Sequence, residues 1–182
     1  MFYNQEKKTI RTERLLLRFF QLEDAEEVAR IVNNYNIYKS TMNLPYPYSI
    51  DDAIKWIKGM PKKVKSEKVF EFAITDKNTG KLFGAIALSK NKAFRNGELA
   101  YWIGEEYWGK GYATEAGKAM IEFAFNEKNY HKVYARHFRS NPASGRVLEK
   151  IGMKQEGVLV DHIIKDGRYE DLVFYGIIYE EN

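Results

Sequence analysis

The strongest constraint on the fold is a pair of glycines, Gly109 and Gly111, placed between a strand pattern and a helix pattern. The stretch from Glu98 to Gly104, ELAYWIG, predicts a strand that ends shortly before the pair. From Thr114 onward, apolar residues recur at three- and four-residue spacing and predict one helix face: Ala116, Ala119, Met120, Phe123 and Ala124. Glycines after a strand let backbone N–H groups approach an anion, and a helix N-terminus adds about half a positive charge. The segment therefore favours a phosphate-binding loop, with a tight turn as the alternative.

The spacing of this loop excludes two common nucleotide sites. A Walker loop has the form GxxxxGK[ST], whereas Lys110 here lies between the glycines. A dinucleotide fingerprint needs a third glycine, where this chain has Thr114, and an acidic residue about 20 positions later. The following strand instead ends in His137 and Phe138. Nucleotide hydrolysis by a Walker loop and NAD binding are both poor fits.

The remaining sequence predicts an α/β chain in the order β α α β β β α β α β β. Strands are predicted over Arg14–Phe20, Val69–Asp76, Lys81–Ser89, Glu98–Gly104, Lys132–Phe138 and two C-terminal segments joined by a tight turn at Lys165–Arg168. The helices are predicted to begin at an Asp24 cap with Glu27, at a Ser49 cap with Asp52 in a short helix, near Thr114, and at Asn141 with a stop at Gly152. We expect a single domain over residues 1–182.

Composition narrows the possible chemistry. The chain of 182 residues is 45% hydrophobic, which favours a globular core, and has no cysteine, which excludes disulfides, thiolate metal sites and a cysteine nucleophile. Its three histidines lack metal-ligand spacing, so no metal is expected. The basic run from Lys58 to Lys68 favours a solvated face over nucleic-acid binding. The N-terminal residues lack a signal-peptide core, and no apolar run approaches the roughly 20 residues that span a bilayer. We therefore expect a cytoplasmic protein with no membrane partner.

Four motifs in the same chain resemble one enzyme family. They are TERLLLR (12–18), GELAYWIGEEYWGKGYATEA (97–116), NxxSxxVLxKIGM (141–153) and KDGRYEDLVFYGI (165–177). In this order they resemble the GNAT superfamily of acetyl-CoA-dependent N-acetyltransferases, and within it the ribosomal-protein and spermidine acetyltransferases. The resemblance implies a twisted mixed, mostly antiparallel sheet of six to seven strands flanked by about four helices. It also implies acetyl-CoA as the cofactor.

The resemblance implies which residues hold the cofactor. In the family, the loop that corresponds to residues 108–113 wraps the pyrophosphate of coenzyme A through backbone N–H groups, and the Thr114 amide would complete the ring. The residues implied are Trp108, Gly109, Lys110, Gly111, Tyr112, Ala113 and Thr114. Trp108 stands where Gln or Arg is usual, which puts a side-chain contact in doubt but not the loop.

Four more cofactor residues come from the neighbouring elements. The strand residues Tyr101, Trp102 and Ile103 match a splayed strand whose backbone pairs with the pantetheine arm and can bind the thioester oxygen. Core packing is the alternative for the side chains of Tyr101 and Trp102. Asn141 matches an asparagine that contacts the pantetheine, and it can also serve as a helix N-cap.

Two residues are implied for catalysis. Glu98, beside the cofactor on the strand, is the candidate base that removes the amine proton, with a surface strand glutamate as the alternative. Ser144 matches a serine of the ribosomal-protein acetyltransferases and can hydrogen-bond the coenzyme sulfur. A polar residue of the first helical turn is the alternative for Ser144. The tyrosine that many relatives use as the acid is replaced here by Leu148.

The acceptor is an amine whose identity the sequence leaves open. A protein N-terminal α-amine and a small amine, such as a polyamine or an aminoglycoside, both fit, and the reaction would be direct attack on acetyl-CoA in a ternary complex. A non-catalytic acetyl-CoA-binding module is the alternative from another class, and a homodimer is possible. A further set of residues has two equally good interpretations, an aromatic acceptor cleft or aromatic packing under a loop. The residues are Tyr35, Tyr38, Tyr46, Tyr48, Tyr169 and Asp171.

Overall fold

The computed structural model describes residues 2–4 and 8–180, which build one mixed sheet with helices around it. Within the described residues the strands are β1 (Phe2–Asn4), β2 (Thr9–Arg11), β3 (Leu15–Arg18), β4 (Val69–Asp76), β5 (Leu82–Ser89), β6 (Asn96–Ile103), β7 (Lys132–Phe138), β8 (Lys154–Lys165) and β9 (Arg168–Ile178). The α-helices of the same residues are α1 (Ala25–Val32), α2 (Tyr35–Ser40), α3 (Ile50–Lys65), α4 (Tyr112–Glu122) and α5 (Pro142–Lys150).

The sheet order is β1-β2-β3-β4-β5-β6-β7-β9-β8. Every neighbouring pair is antiparallel except β6 and β7, which run parallel because the α4 crossover connects them. The predicted class, a mixed and mostly antiparallel sheet, is confirmed. The described sheet has more than the six to seven expected strands because of the short edge strands β1 and β2. The described helices exceed the expected number of about four because of the short α2.

Helix caps explain part of the N-terminal half. Ser49 and Asp52 form the predicted capping box, in which the Asp52 amide donates to the Ser49 hydroxyl at 3.2 Å and the Ser49 amide donates to the Asp52 carboxylate at 2.9 Å. The helix that follows is 16 residues long rather than short, and it contains Pro61. Its apolar face remains buried past the second turn through Ile57 and Met60, and this packing outweighs the local cost of the proline.

The predicted side-chain cap at Asp24 is wrong. A 3₁₀ turn over Leu22–Asp24 precedes α1, and the Asp24 carboxylate instead accepts two hydrogen bonds of 2.7 Å from the Arg18 guanidinium and one of 2.8 Å from the Gln21 amide. An ion pair to the neighbouring strand thus takes the oxygens that a cap would have used. The same site ties β3 to the start of α1.

One face of the sheet packs against the end of α4. Phe70 and Phe72 of β4 make edge contacts with Phe123, at the end of α4, with ring centroids 5.5 and 5.8 Å apart. Paired residues of adjacent strands share a face, so the register Phe72↔Ile86↔Tyr101 places Tyr101 on this α4 face too. Residues one position away along each strand point to the opposite face.

Gly97 of β6 has no room for a side chain. A Cβ at this position would lie 1.9 Å from the Ser89 carbonyl oxygen and 2.6 Å from the Tyr130 ring. We predict that Gly97→Ala lowers the free energy of unfolding by about 1–3 kcal/mol, because the backbone of β5 must move. For a chain of this size the melting temperature falls by roughly 2–4 °C per kcal/mol, which calorimetry measures.

The matched control is Gly157→Ala, since a Cβ there meets no atom within 4 Å among the described residues. Equal melting temperatures for the two variants would contradict the tight β5–β6 contact.

Candidate active site

The parallel pair of β6 and β7 ends early. Its register covers Asn96↔Lys132 to Glu98↔Tyr134 and stops there. On its other side β6 remains paired with β5 as far as Gly84↔Ile103. Residues 99–103 therefore have an edge without a strand partner in the part of the chain that the structure describes, and this edge borders a gap between β6 and β7.

The direction of the β6 backbone groups follows from one hydrogen bond. The Gly104 amide donates to the Phe83 carbonyl of the β5 side at 2.8 Å. Backbone groups alternate in direction along a strand, so those of Trp102 also face β5, whereas those of Tyr101 and Ile103 face the gap. The Ile103 carbonyl accepts the Trp108 indole N–H at 2.7 Å, which leaves the amides of Tyr101 and Ile103 and the carbonyl of Tyr101 directed at the gap.

The glycine loop lies at the end of this edge. Gly109 and Gly111 have φ angles of 74° and 81°, a left-handed conformation that favours glycine, and α4 begins directly afterwards at Tyr112. Within residues 2–4 and 8–180, the amides of residues 109–114 have no protein acceptor. Six consecutive free donors at a helix N-terminus form a site for a polyanion.

The loop is held from the β2–β3 turn by a network that the sequence patterns did not indicate. The Arg14 guanidinium donates to the Lys110 carbonyl at 2.9 Å and to the Glu115 carboxylate at 2.7 Å. Glu115 also accepts the Thr12 hydroxyl at 2.6 Å and the Arg14 amide at 2.8 Å. Burial alone would raise the pKa of Glu115, but these hydrogen bonds lower it below its ordinary value. Thr12 and Arg14 lie in the motif TERLLLR, and Glu115 lies in YATEA. A contact between these two motifs could have been predicted from the sequence.

Ser144 and Tyr101 meet across the gap. The Tyr101 hydroxyl lies 2.8 Å from the Ser144 hydroxyl oxygen and 3.2 Å from its carbonyl oxygen. Burial raises the pKa of Tyr101 to about 12, and the contact with Ser144 acts in the opposite direction. Asn141 caps α5 through a 3.3 Å hydrogen bond from the Ser144 amide, and Leu148 is buried in the core.

Glu98 is ion-paired with the next strand. The Arg136 side chain donates to its carboxylate at 2.7 and 3.5 Å. Because Glu98 and Tyr101 are three residues apart on one strand, their side chains point to opposite faces. Glu98 therefore lies on the face away from α4 and Ser144.

The described part of the chain matches one family over most of its length. Residues 14–154 match the model of the acetyltransferase (GNAT) domain. The N-acetyltransferase YnaD of Bacillus subtilis is 31% identical over 94% of this chain and 98% of its own. The chain belongs to the GNAT acetyltransferase family. It is an N-acetyltransferase, and its acetyl donor is acetyl-CoA.

Other relatives of this GNAT enzyme have named acceptors. The spermidine N(1)-acetyltransferase of Vibrio cholerae is 28% identical over 87% of this chain and 89% of its own. The [ribosomal protein uS5]-alanine N-acetyltransferase of Escherichia coli is 29% identical over 60% of this chain and 57% of its own. A solved structure of RimL, a ribosomal L7/L12 α-N-protein acetyltransferase in complex with coenzyme A, has the same fold, with a TM-score of 0.86 at 18% identity over 93% of this chain and 97% of that one.

The residues of this GNAT site fit acetyl-CoA. The free amides of residues 109–114 suit a pyrophosphate, and the unpaired β6 edge suits an extended arm that alternates donors and acceptors. Family membership settles the cofactor itself, while the assignment of single residues to it stays a prediction. Trp108 has a definite structural role, since its indole ties the loop to the end of β6.

The GNAT enzyme has a second cluster near the C-terminal turn. The rings of Tyr35, Tyr38 and Tyr46 lie 5.5–5.8 Å apart, so aromatic packing is present. The Lys165 ammonium lies 3.6 Å from the Tyr38 ring centroid, and the Tyr38 hydroxyl donates to the Asp166 carboxylate. The β8–β9 turn is thus fastened to α2.

The other acceptor-cleft candidates are not part of this ring cluster. Tyr48 is buried, Tyr169 is exposed, and Asp171 forms a 2.8 Å ion pair with Arg139. Within the described ranges, no helix is long and apolar enough to cross a membrane, and no group of three or more His, Cys, Asp and Glu side chains could hold a metal ion.

We predict that Glu115→Gln weakens coenzyme A binding about tenfold. The substitution removes the charge that holds Arg14, and charge-assisted hydrogen bonds of this kind contribute about 1.5–3 kcal/mol. Isothermal calorimetry measures the change. Lys118→Gln, at an exposed position of the same helix, is the control and should leave the affinity unchanged. A folded Glu115→Gln protein with wild-type affinity would show that the Arg14–Glu115 network does not shape the loop.

Proposed function

We propose that this enzyme acetylates the N-terminal α-amine of a protein or peptide, by direct attack of the amine on acetyl-CoA in a ternary complex. The observation that carries the proposal is the gap between β6 and β7, which opens directly beside a loop of six free amides. A cofactor bound there places its thioester in the gap. At the gap, a molecule on one face of the sheet can reach a molecule on the other face.

The binding roles follow from the backbone. The amides of residues 109–114 hold the pyrophosphate, and the free edge of β6 at Tyr101 and Ile103 holds the pantetheine arm, with Asn141 beside it. Acetyl-CoA supplies a thioester whose C–S bond breaks as the amine nitrogen forms the new amide bond. The gap-facing amides of Tyr101 and Ile103 donate to the carbonyl oxygen as it becomes negative, a contact of the order of 3 kcal/mol per donor.

Ser144 and Tyr101 serve the leaving group. The Ser144 hydroxyl can donate its proton to the coenzyme sulfur. The Tyr101 hydroxyl, 2.8 Å away, then supplies a new proton to Ser144 or orients the Ser144 hydroxyl. This pair takes the role of the tyrosine acid that Leu148 cannot provide. Because α5 and the loop border the gap on one face, the acceptor amine approaches from the other face, where Glu98 lies.

The choice of acceptor rests on proton chemistry and on relatives. An α-amine has a pKa near 7.7–8.0, whereas a lysine-type ammonium has one near 10.4, so the α-amine is more easily deprotonated. The Glu98 carboxylate is held in an ion pair with the Arg136 guanidinium at 2.7 Å, so it is already engaged with a cation of the protein. The uS5-alanine acetyltransferase supports a protein N-terminus. The spermidine acetyltransferase, which aligns over more of the chain, is the observation that favours a polyamine instead. The cytoplasmic location, the lack of nucleic-acid binding and a homodimer stay predictions.

We predict that Ser144→Ala lowers kcat about 10²-fold with little change in coenzyme A affinity. The substitution removes the proton donor but leaves the backbone groups that bind the cofactor. Tyr101→Phe keeps the strand backbone and should lower kcat less. Steady-state kinetics and calorimetry give the two quantities. Ser66→Ala, at the exposed end of α3, is the control. Unchanged kcat in Ser144→Ala would remove Ser144 from the mechanism.

An acetylation panel tests the acceptor. Turnover of acetyl-CoA is measured with peptides that carry free Ala, Ser or Met N-termini, with the same peptides N-terminally blocked, and with spermidine and an aminoglycoside. We expect kcat/KM to be at least about tenfold higher for the free peptides than for any other amine. Preference for spermidine or the aminoglycoside would overturn the α-amine assignment and leave the family chemistry intact.

A further inference from the structure

Glu71 is a carboxylate without a partner on the acceptor face of the sheet. Within the described ranges no hydrogen bond or ion pair involves its side chain, which is half-buried on β4. Its strand neighbours Phe70 and Phe72 contact Phe123, at the end of α4, so Glu71 points to the opposite face. That is the face from which the acceptor approaches in the proposed function.

The sheet register connects Glu71 to the gap. Glu71 pairs with Ala87 of β5, and Ala87 pairs with Ala100 of β6. Paired residues share a face, so the three side chains form one row, and two of them are single methyl groups. The row spans about 10 Å between the β4 and β6 backbones, since adjacent strands lie about 4.8 Å apart. Because the two alanine side chains are short, an amine or a water molecule has room to lie on the sheet between Glu71 and the gap.

The charges that face Glu71 compensate its carboxylate only in part. The Lys63 ammonium of α3 acts on it from one side. Tyr48 faces it as well: burial raises the pKa of the Tyr48 phenol, and the charges of Asp52 and Glu71 add to that effect. On the same sheet face, the carboxylate of Glu98 is neutralised by Arg136. Burial raises the pKa of Glu71 to about 7, and the charge of Lys63 acts in the opposite direction.

We infer that Glu71 is the proton acceptor for the acceptor amine. The inference rests on the proposed function and replaces Glu98 in the role of base. In the step, the ammonium R–NH₃⁺ gives one proton to the Glu71 carboxylate, directly or through a water, and leaves R–NH₂ with the electron pair that attacks the thioester carbon. Neutral Glu71 then returns the proton to solvent.

The decisive experiment is the pH profile of kcat with an Ala N-terminal peptide for wild type, Glu71→Gln and Glu98→Gln. A base contributes about 10²–10⁴-fold, so Glu71→Gln should lower kcat near pH 7 by about 10²-fold. Its acid limb should move from near pH 7 up to the pKa of the free amine, about 7.7–8.0. Glu98→Gln should keep the wild-type midpoint, and Glu127→Gln, an exposed glutamate of the α4 extension, is the control.

Two outcomes overturn the inference and leave the proposed function intact, and a third rejects the proposed function itself. A midpoint that moves in Glu98→Gln and not in Glu71→Gln assigns the base to Glu98. A raised KM with an unchanged limb in Glu71→Gln makes Glu71 a binding group. A wild-type enzyme that acetylates no amine of the panel rejects the proposed function instead.

A stability measurement tests the Glu71 environment without turnover. The carboxyl has an ordinary pKa of 4.5 in the unfolded chain and about 7 in the folded one, so the folded state binds the extra proton between these values. Stability of the wild type therefore falls as pH rises through this window, and Glu71→Gln escapes the fall. We predict that the melting temperature of Glu71→Gln relative to wild type increases from about pH 5 to about pH 8. A constant difference would contradict a desolvated carboxylate that lacks an ion-pair partner.

Discussion

The early end of the β6–β7 pairing is the constraint on which the rest of the site depends. Only three residue pairs join the two strands, from Asn96↔Lys132 to Glu98↔Tyr134, although both strands continue beyond them. Unpaired backbone groups in the middle of a sheet are costly unless a ligand or solvent satisfies them. The same divergence lets a molecule on the α4 face meet one on the opposite face. A sheet with full pairing would separate the two reactants.

The remaining features hold the edges of this gap in place. The Arg14–Glu115 network fixes the start of α4, and the Trp108 indole fixes the loop to the last residue of β6. Asn141 caps α5 at the other side, which sets Ser144 against Tyr101. These contacts belong to the protein alone, so the donors are arranged before any cofactor binds, and less conformational entropy is lost on binding.

Local patterns were sufficient for the elements that local physics determines. The capping box at Ser49 and the Asn141 cap are fixed by neighbours in sequence, and each was predicted. The glycine pair predicted a phosphate-binding loop or a tight turn, and the structure adds the left-handed φ angles. The Arg18 ion pair of Asp24 and the length of α3 were not, because long-range charge and packing decide them. Two short strands at the sheet edge and α2 carried too little periodicity to be recognised.

The same distinction holds in the site. Ser144 and the loop lie in motifs, whereas the partnerships of Glu98 with Arg136 and of Glu115 with Arg14 join distant segments. Glu71 appears in the sequence as one polar residue of an alternating strand, and only the register across β4, β5 and β6 places it on the acceptor face.

Backbone hydrogen exchange, with and without coenzyme A, tests the central claim most directly. If the β6 edge and the loop hold the cofactor, the amides of residues 109–114 and of Tyr101 exchange more slowly when coenzyme A is bound. The turn at Asp166 and Gly167, far along the β8–β9 hairpin, serves as the internal reference and keeps its rate. Unchanged exchange at the loop and at Tyr101 under saturating coenzyme A would contradict the account.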